Sequence, residues 1–114
     1  MNRITVSNLE AVVARINRAT NSHTEPYTRN GDKFTANIGN YHLSGAYGGY
    51  ALHRMHNDGG GVQTIIGGYS PKRELYEKMH VFLAGVEAEQ YASHEKLMLN
   101  AMAQAWKSSL HNHA

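Results

Sequence analysis

A chain of 114 residues without cysteine has the length of one ordinary domain, which can bury a core without disulfides or a structural metal, and it offers no thiol nucleophile. Eleven lysines and arginines against nine acidic residues give a net charge of +2 with neutral histidines, far from the concentrated positive charge of a duplex DNA-binding protein. No apolar run is long enough to cross a membrane and no secretion signal opens the sequence, so we expect a cytoplasmic protein with neither a membrane nor a nucleic-acid partner.

The first predicted element is an amphipathic helix from Ser7 to Ala19. Ser7 followed by Glu10 has the spacing of a capping box, which satisfies the free amide groups at a helix start. Apolar residues then recur at helical spacing, namely Leu9, Val12, Val13 and Ile16. The other side of this helix is expected to face solvent, and it carries Glu10, Arg15, Asn17 and Arg18.

A surface loop rich in turn-forming residues is predicted over 20–32, followed by an antiparallel meander of three or four strands. Short alternating runs predict strands over 34–38, 41–47 and 50–55, with 62–66 as the fourth. A helix over 50–55 is the alternative, because Ala51, Leu52 and Met55 also fit a helical stripe.

Gly48 and Gly49 are predicted to form the two-residue turn of the central hairpin. One face of the sheet would then pair Tyr47 with Tyr50, Gly45 with Leu52, Leu43 with Arg54 and Tyr41 with His56. On the other face, Ser44 would lie opposite His53.

Ser70 followed by Pro71 predicts the start of a second helix, with serine as the cap and proline in the first turn. Its buried stripe is expected to contain Leu75, Met79, Phe82, Leu83 and Val86. The apolar pattern resumes from Tyr91 to Leu110, either in the same helix or in a second helix after a break near Ser93. We therefore predict an α+β domain over 1–92 and a helical extension over 93–114 that forms the interface of a homo-oligomer.

No strong catalytic or metal-binding motif stands in the chain. His53 and His56 with nearby Asp58 are a weak metal candidate, since strand residues three apart point to opposite faces; His111 with His113 is another weak pair. Ser44 facing His53, with Asp58 as orienter, is the only nucleophilic pairing the predicted hairpin offers. We therefore expect that the protein is not an enzyme and binds no cofactor. The alternative is a nucleotide hydrolase that uses His42, His53 or Asp58.

The glycine- and tyrosine-rich segment 33–61 favours a recognition surface. A guanidinium beside tyrosine rings can bind a phosphate while the rings stack on a base, so we assign phosphate neutralisation to Arg54 and Arg73. Stacking is assigned to Tyr41, Tyr47 and Tyr50, and the reading of polar edges to His53 and Asn57. The alternative is that Arg54 is a solvent-facing cross-strand arginine that binds no ligand.

The blocks NIGNYHLSGAYGGYALHRMHNDGGGV and PKRELYEKM resemble those of a family of small accessory proteins of tailed bacteriophages. The resemblance covers residues 5 to about 88 and implies a phage gene acting in the cytoplasm of a bacterial host, where such proteins often counter host defence. It assigns no residue roles.

These observations together predict a phage anti-defence binding protein. It would sequester a small anionic ligand, such as a cyclic nucleotide immune signal, without catalysis. The alternative is an inhibitor that docks on a host defence protein or complex through a sheet edge or through the C-terminal helix.

Overall fold

The computed structural model describes residues 3–111 and divides into two units, residues 3–84 and 85–111. The first unit contains helix α1 (Val6–Ala19), strands β1 (Tyr27–Asn30), β2 (Lys33–Ala36), β3 (Tyr41–Ala46), β4 (Gly49–Met55) and β5 (Val62–Ser70), and the start of helix α2 (Lys72–His111). The second unit is the remainder of α2. The fold is α+β, as predicted, and α2 is one continuous helix without a break near Ser93.

The cap of helix α1 is Thr5, two residues before the predicted cap Ser7. The Asn8 N–H donates to Thr5 Oγ1 (3.2 Å), and the Thr5 N–H donates to Asn8 Oδ1 (2.9 Å), so these two residues form the capping box. The predicted box of Ser7 with Glu10 is wrong, because Thr5 and Asn8 already satisfy the first amide groups and place Ser7 inside the first turn.

The predicted loop over 20–32 is partly wrong, since β1 occupies its last third and pairs with β2 in a separate two-stranded sheet. The pairing runs from Tyr27 opposite Ala36 to Asn30 opposite Lys33, around a two-residue turn in which Gly31 has a φ of +64°. The strand predicted around Phe34 is present as β2, but it pairs with β1 and does not belong to the meander. Tyr27 and Thr28 are good strand residues whose pairing partners follow immediately in sequence.

The three-stranded sheet has the order β3-β4-β5 and is antiparallel throughout, with β4 in the centre. β3 and β4 match the predicted strands to within one residue, β5 extends four residues beyond the predicted 62–66, and the helical alternative for 50–55 is wrong. The central hairpin turns at Tyr47 and Gly48, so Gly45 lies opposite Tyr50 and Tyr41 opposite Arg54. The predicted register, which placed the turn at Gly48 and Gly49, is wrong by two residues. The paired residues of β3 and β4 keep their predicted faces, but Tyr47 lies in the turn and its ring contacts Tyr69 on the opposite side of the sheet.

The core of the first unit lies between the two helices and one face of this sheet. It contains Leu9, Val12, Val13 and Ile16 from α1, Tyr41 and Leu52 from the sheet, and Leu75, Met79 and Leu83 from α2. The predicted apolar stripe of α1 is therefore in the core. Of the predicted stripe of α2, Leu75, Met79 and Leu83 are in the core and Phe82 packs against it, but Val86 is not part of it. Helix α2 starts one residue later than predicted, because Ser70 is the last residue of β5 and the Pro71 carbonyl accepts the Leu75 N–H (3.1 Å).

Asn17 is buried, with 1% of its surface exposed, and not on the solvent side of α1 as predicted. Its Nδ2 donates to the Tyr41 carbonyl (2.9 Å), and its Oδ1 accepts from the Tyr41 N–H (2.8 Å). Strand β3 is an edge of the sheet, so Asn17 takes the place of a neighbouring strand there. Within the described residues, neither helix is apolar enough over sufficient length to cross a bilayer.

Candidate functional site

The predicted binding residues are divided between the two faces of the three-stranded sheet. Arg54 and its cross-strand partner Tyr41 lie on the face that packs against the helices. His53, the preceding residue on β4, lies on the opposite face because side chains alternate along a strand. A single wall of tyrosines is therefore not formed, and one small ligand cannot contact Arg54 and His53 of the same chain together.

Arg54 is held over an aromatic ring and lacks an acidic partner. Its Cζ lies 5.9 Å from the centre of the Tyr41 ring, and Tyr41 is 9% exposed. Gly39 lies beside the guanidinium, where a Cβ would be 3.6 Å from Nη2. Arg54 is half-buried, and within residues 3–111 its guanidinium group makes neither an ion pair nor a hydrogen bond. A half-buried cation without a counter-ion is suited to bind an anion.

An apolar groove of about 420 Å³ opens between β5 and the first turns of α2. It is lined by Ile65, Ile66, Glu77, Lys78, Val81 and Phe82, so no arginine lines it directly. The Phe82 ring lies 5.7 Å from the Tyr41 ring, which in turn carries Arg54. Two successive ring contacts thus connect the groove with the guanidinium, and the volume is in the range of small-molecule sites.

Polar aromatic residues cover the opposite side of the sheet, and we call this surface the aromatic face. It consists of His42, Ser44, Tyr47, His53 and Tyr69. Ring centres are separated by 6.0 Å between His42 and His53, by 6.4 Å between His53 and Tyr69, and by 5.6 Å between Tyr69 and Tyr47. The Ser44 and Tyr69 hydroxyls are hydrogen bonded at 3.1 Å. The four rings therefore contact one another in succession, from His42 through His53 and Tyr69 to Tyr47.

Both tyrosines of the aromatic face have strained backbones. Tyr47 has a φ of +52° and Tyr69 a φ of +39°, in a region that residues with bulky side chains rarely adopt. Such strain is often found at functional sites. Sequence reasoning selected Tyr47 and missed Tyr69, for which the preceding Gly67 and Gly68 were the available signal, since paired glycines inside a strand often mark a bulge.

His42 is held in one orientation by a buried amide. Asn40 is fully buried, and its Nδ2 donates to the His23 carbonyl (2.6 Å), which leaves Asn40 Oδ1 facing His42 Nδ1 at 3.1 Å. Burial lowers the pKa of His42, the neighbouring His53 lowers it further, and a hydrogen bond with the Asn40 backbone partly opposes both effects. The lowered pKa favours the neutral form of His42 at pH 7.

The other predicted site residues do not join either cluster. Tyr50 is half-buried against the core. Asn57 closes its own turn, where its Oδ1 accepts from the N–H groups of Gly59 (3.0 Å) and Gly61 (2.9 Å). Arg73 is exposed in the first turn of α2. Tyr47, by contrast, belongs to the aromatic face through its contact with Tyr69, although it is 93% exposed at the hairpin turn.

The predicted pairing of Ser44 with His53 is wrong, because Ser44 lies opposite Ala51 and His53 lies opposite His42. Asp58 is exposed in the turn after β4. In the part of the chain that the structure describes, no three His, Asp or Glu side chains converge on a common point. His113, and with it the predicted His111–His113 pair, lies outside the described residues.

The second unit presents large apolar side chains to solvent. They are 51% exposed at Met98 and up to 71% exposed at Tyr91, and the set comprises Tyr91, Leu97, Met98, Leu99, Met102, Trp106 and Leu110. Polar residues recur at helical spacing along one side of this helix, namely Glu89, Ser93, Lys96, Asn100, Gln104 and Lys107. Tyr91, Met98 and Met102 lie on the side of the helix opposite this polar row.

The chain was compared with protein-family models, with curated proteins and with solved structures. None of the three comparisons finds a match.

Proposed function

We propose that this protein binds a small anionic ligand without converting it, at the groove between β5 and α2. The observation that carries the proposal is the Arg54 guanidinium, which is half-buried, lies on the Tyr41 ring and has no acidic partner in residues 3–111. Partial burial of a cation costs desolvation free energy, and a bound anion can offset that cost. A ligand phosphate or carboxylate would accept paired hydrogen bonds from this group.

The groove offers a binding surface for the uncharged part of such a ligand. Ile65, Ile66, Val81 and Phe82 offer an apolar surface to a flat or hydrophobic part of the ligand. Phe82 contacts Tyr41, which is largely buried, so a ligand in the groove would have to extend beyond Phe82 and past the edge of the Tyr41 ring for its charged end to reach Arg54. Because Tyr41 and Phe82 are held by the core, little conformational entropy is lost when the ligand binds.

A nucleotide has this combination of a planar ring and a phosphate. We therefore propose a cyclic nucleotide immune signal as the ligand and phage anti-defence sequestration as the role, which the resemblance of the glycine- and tyrosine-rich block to phage accessory proteins supports. Calorimetry of the full chain against cyclic dinucleotides, cyclic trinucleotides and cyclic ADP-ribose isomers tests this ligand class. No heat with any of them would refute it.

Arg54→Gln should weaken binding of the best nucleotide by about tenfold to a hundredfold, because a hydrogen-bonded charge contact is lost. Arg29→Gln is the matched control: Arg29 also lies over a ring, with its Cζ 5.6 Å from the centre of Phe34, but in the separate β1–β2 hairpin. The control should bind normally. Calorimetry measures both affinities.

Val81→Asp provides a second test of the site. Val81 is 74% exposed, so the substitution should fold, yet it introduces a negative charge into the groove. It should repel an anion and reduce affinity. Equal losses of nucleotide affinity in Arg54→Gln and Arg29→Gln, or an unchanged affinity in Val81→Asp, would contradict the proposed location of the binding site.

The exposed helix of the second unit favours a second candidate function, docking on another protein. Apolar side chains on a helix gain stability when packed, and here each of the large ones is at least half exposed. A second copy of the chain is the homo-oligomer partner expected from the sequence, and a host defence protein is the alternative.

Met102→Glu should reduce self-association at least about tenfold, because it places a charge on the apolar side of this helix. Gln104→Glu introduces the same charge on the polar side, two residues further on, and should leave association unchanged. Sedimentation velocity at micromolar concentration measures both. If the unsubstituted protein sediments as a monomer, a second copy of the chain is excluded as the partner of this helix. In that case, capture of one host protein that is lost on deletion of 93–114 would support the host partner.

A further inference from the structure

We propose that His42 and His53 bind a divalent first-row transition-metal ion, of which Zn²⁺ is the simplest probe. The two imidazoles lie directly opposite each other on β3 and β4, on the aromatic face. This site is on the opposite side of the sheet from Arg54, so it is independent of the proposed anion site.

The hydrogen bonds around His42 determine which of its nitrogens can bind a metal. The Asn40 Nδ2 must face the His23 carbonyl, because the reversed amide would place two acceptors against each other. Asn40 Oδ1 then faces His42 Nδ1 and can only accept, so Nδ1 carries the proton and donates. The lone pair of His42 is therefore on Nε2.

Metal-binding histidines characteristically donate their other ring N–H to a supporting acceptor. Asn40 supplies this support from a fully buried position, which fixes both the tautomer and the plane of the ring. Within residues 3–111, Nε2 of His42 has no hydrogen-bond partner, so nothing competes for its lone pair.

The separation of the rings suits a shared ion. Their centres are 6.0 Å apart and their planes are nearly perpendicular at 84°. Metal–nitrogen bonds of about 2.0 Å in a tetrahedral arrangement place two imidazole centres roughly 5 Å apart. Rotation of the half-buried His53 about its side-chain bonds is the adjustment needed.

Two imidazoles leave positions for other ligands on the ion. The Tyr69 ring contacts His53 with centres 6.4 Å apart, and its hydroxyl, with that of Ser44, places oxygen donors on the same face. Water or an exchangeable anion would complete the coordination, as in metal sites that keep an open position.

The test uses the full chain with His111→Gln and His113→Gln, so that the terminal histidines do not compete for the metal. Nuclear magnetic resonance of the histidine side chains without metal should show His42 as the Nδ1–H tautomer. Added Zn²⁺ should shift the His42 and His53 signals together and saturate at one ion per chain, while the His23 and His56 signals stay in place.

Substitution gives an independent readout. His53→Gln should weaken Zn²⁺ binding about tenfold or more, since one of two nitrogen ligands is lost. His56→Gln removes an exposed histidine three residues further on and should leave the affinity unchanged. An Nε2–H tautomer of His42, earlier shifts at His23 or His56, or equal affinities of the two variants would each overturn the proposal.

Discussion

Asn17→Leu is expected to lower the free energy of unfolding by about 3 to 5 kcal/mol. The substitution keeps the size of a side chain that is 1% exposed but removes both of its hydrogen bonds to Tyr41. The Tyr41 N–H and carbonyl would then be buried without partners, and each such group costs about 1 to 3 kcal/mol. Urea denaturation measures the loss, which is a large part of the roughly 5 to 15 kcal/mol that stabilises a domain.

Hydrogen exchange separates this cause from general loosening. In the parent chain the Tyr41 amide should exchange slowly, although β3 has no strand on that side. In Asn17→Leu it should lose protection before the amides of β4 do. Ser7→Leu adds an apolar group to an exposed position of the same helix and should change stability by no more than about 0.5 kcal/mol. Retained protection of Tyr41 in Asn17→Leu would show that Asn17 is not its essential partner.

Gly49→Ala is expected to cost about 3 kcal/mol or more, because a Cβ at this position overlaps the backbone carbonyl of Tyr69. Backbone cannot move aside as a flexible side chain can, so β5 would have to shift and the bulge that holds Tyr69 would be disturbed. The thermal unfolding midpoint gives the stability. The contact between Tyr69 and His53 should also weaken, which aromatic side-chain resonances detect.

The neighbouring Gly48 supplies the control. It has a φ of +72°, but no atom lies within 4 Å of an added Cβ. Gly48→Ala should therefore cost only about 1 kcal/mol, from backbone strain alone. If the two alanine variants were equally stable, close approach of β5 to Gly49 could not be the reason for glycine there.

The candidate sites were only partly accessible to sequence reasoning. Arg54 and Tyr41 were predicted on the same face of the sheet but not as a pair, whereas in the structure the two residues are directly opposite each other. The assignment of Tyr41, Tyr47 and Tyr50 to one stacking wall was not matched, because Tyr41 lies in the core and Tyr47 at an exposed turn. Tyr69 was missed because its contribution depends on a left-handed backbone, which alternating hydrophobicity does not reveal.

Local patterns determined the element types. The apolar spacing of α1, the alternation of β3 and β4, and the Ser70–Pro71 signal each depend on residues close together in the chain, so an unaligned sequence reveals them. Long-range contacts determined the rest. The Tyr69 carbonyl lies so close to Gly49 that there is no room for a Cβ there, and hydrogen bonds with the Tyr41 backbone hold Asn17 in a buried position. Both effects join residues at least twenty positions apart, whose proximity exists only after the strands and helices have packed.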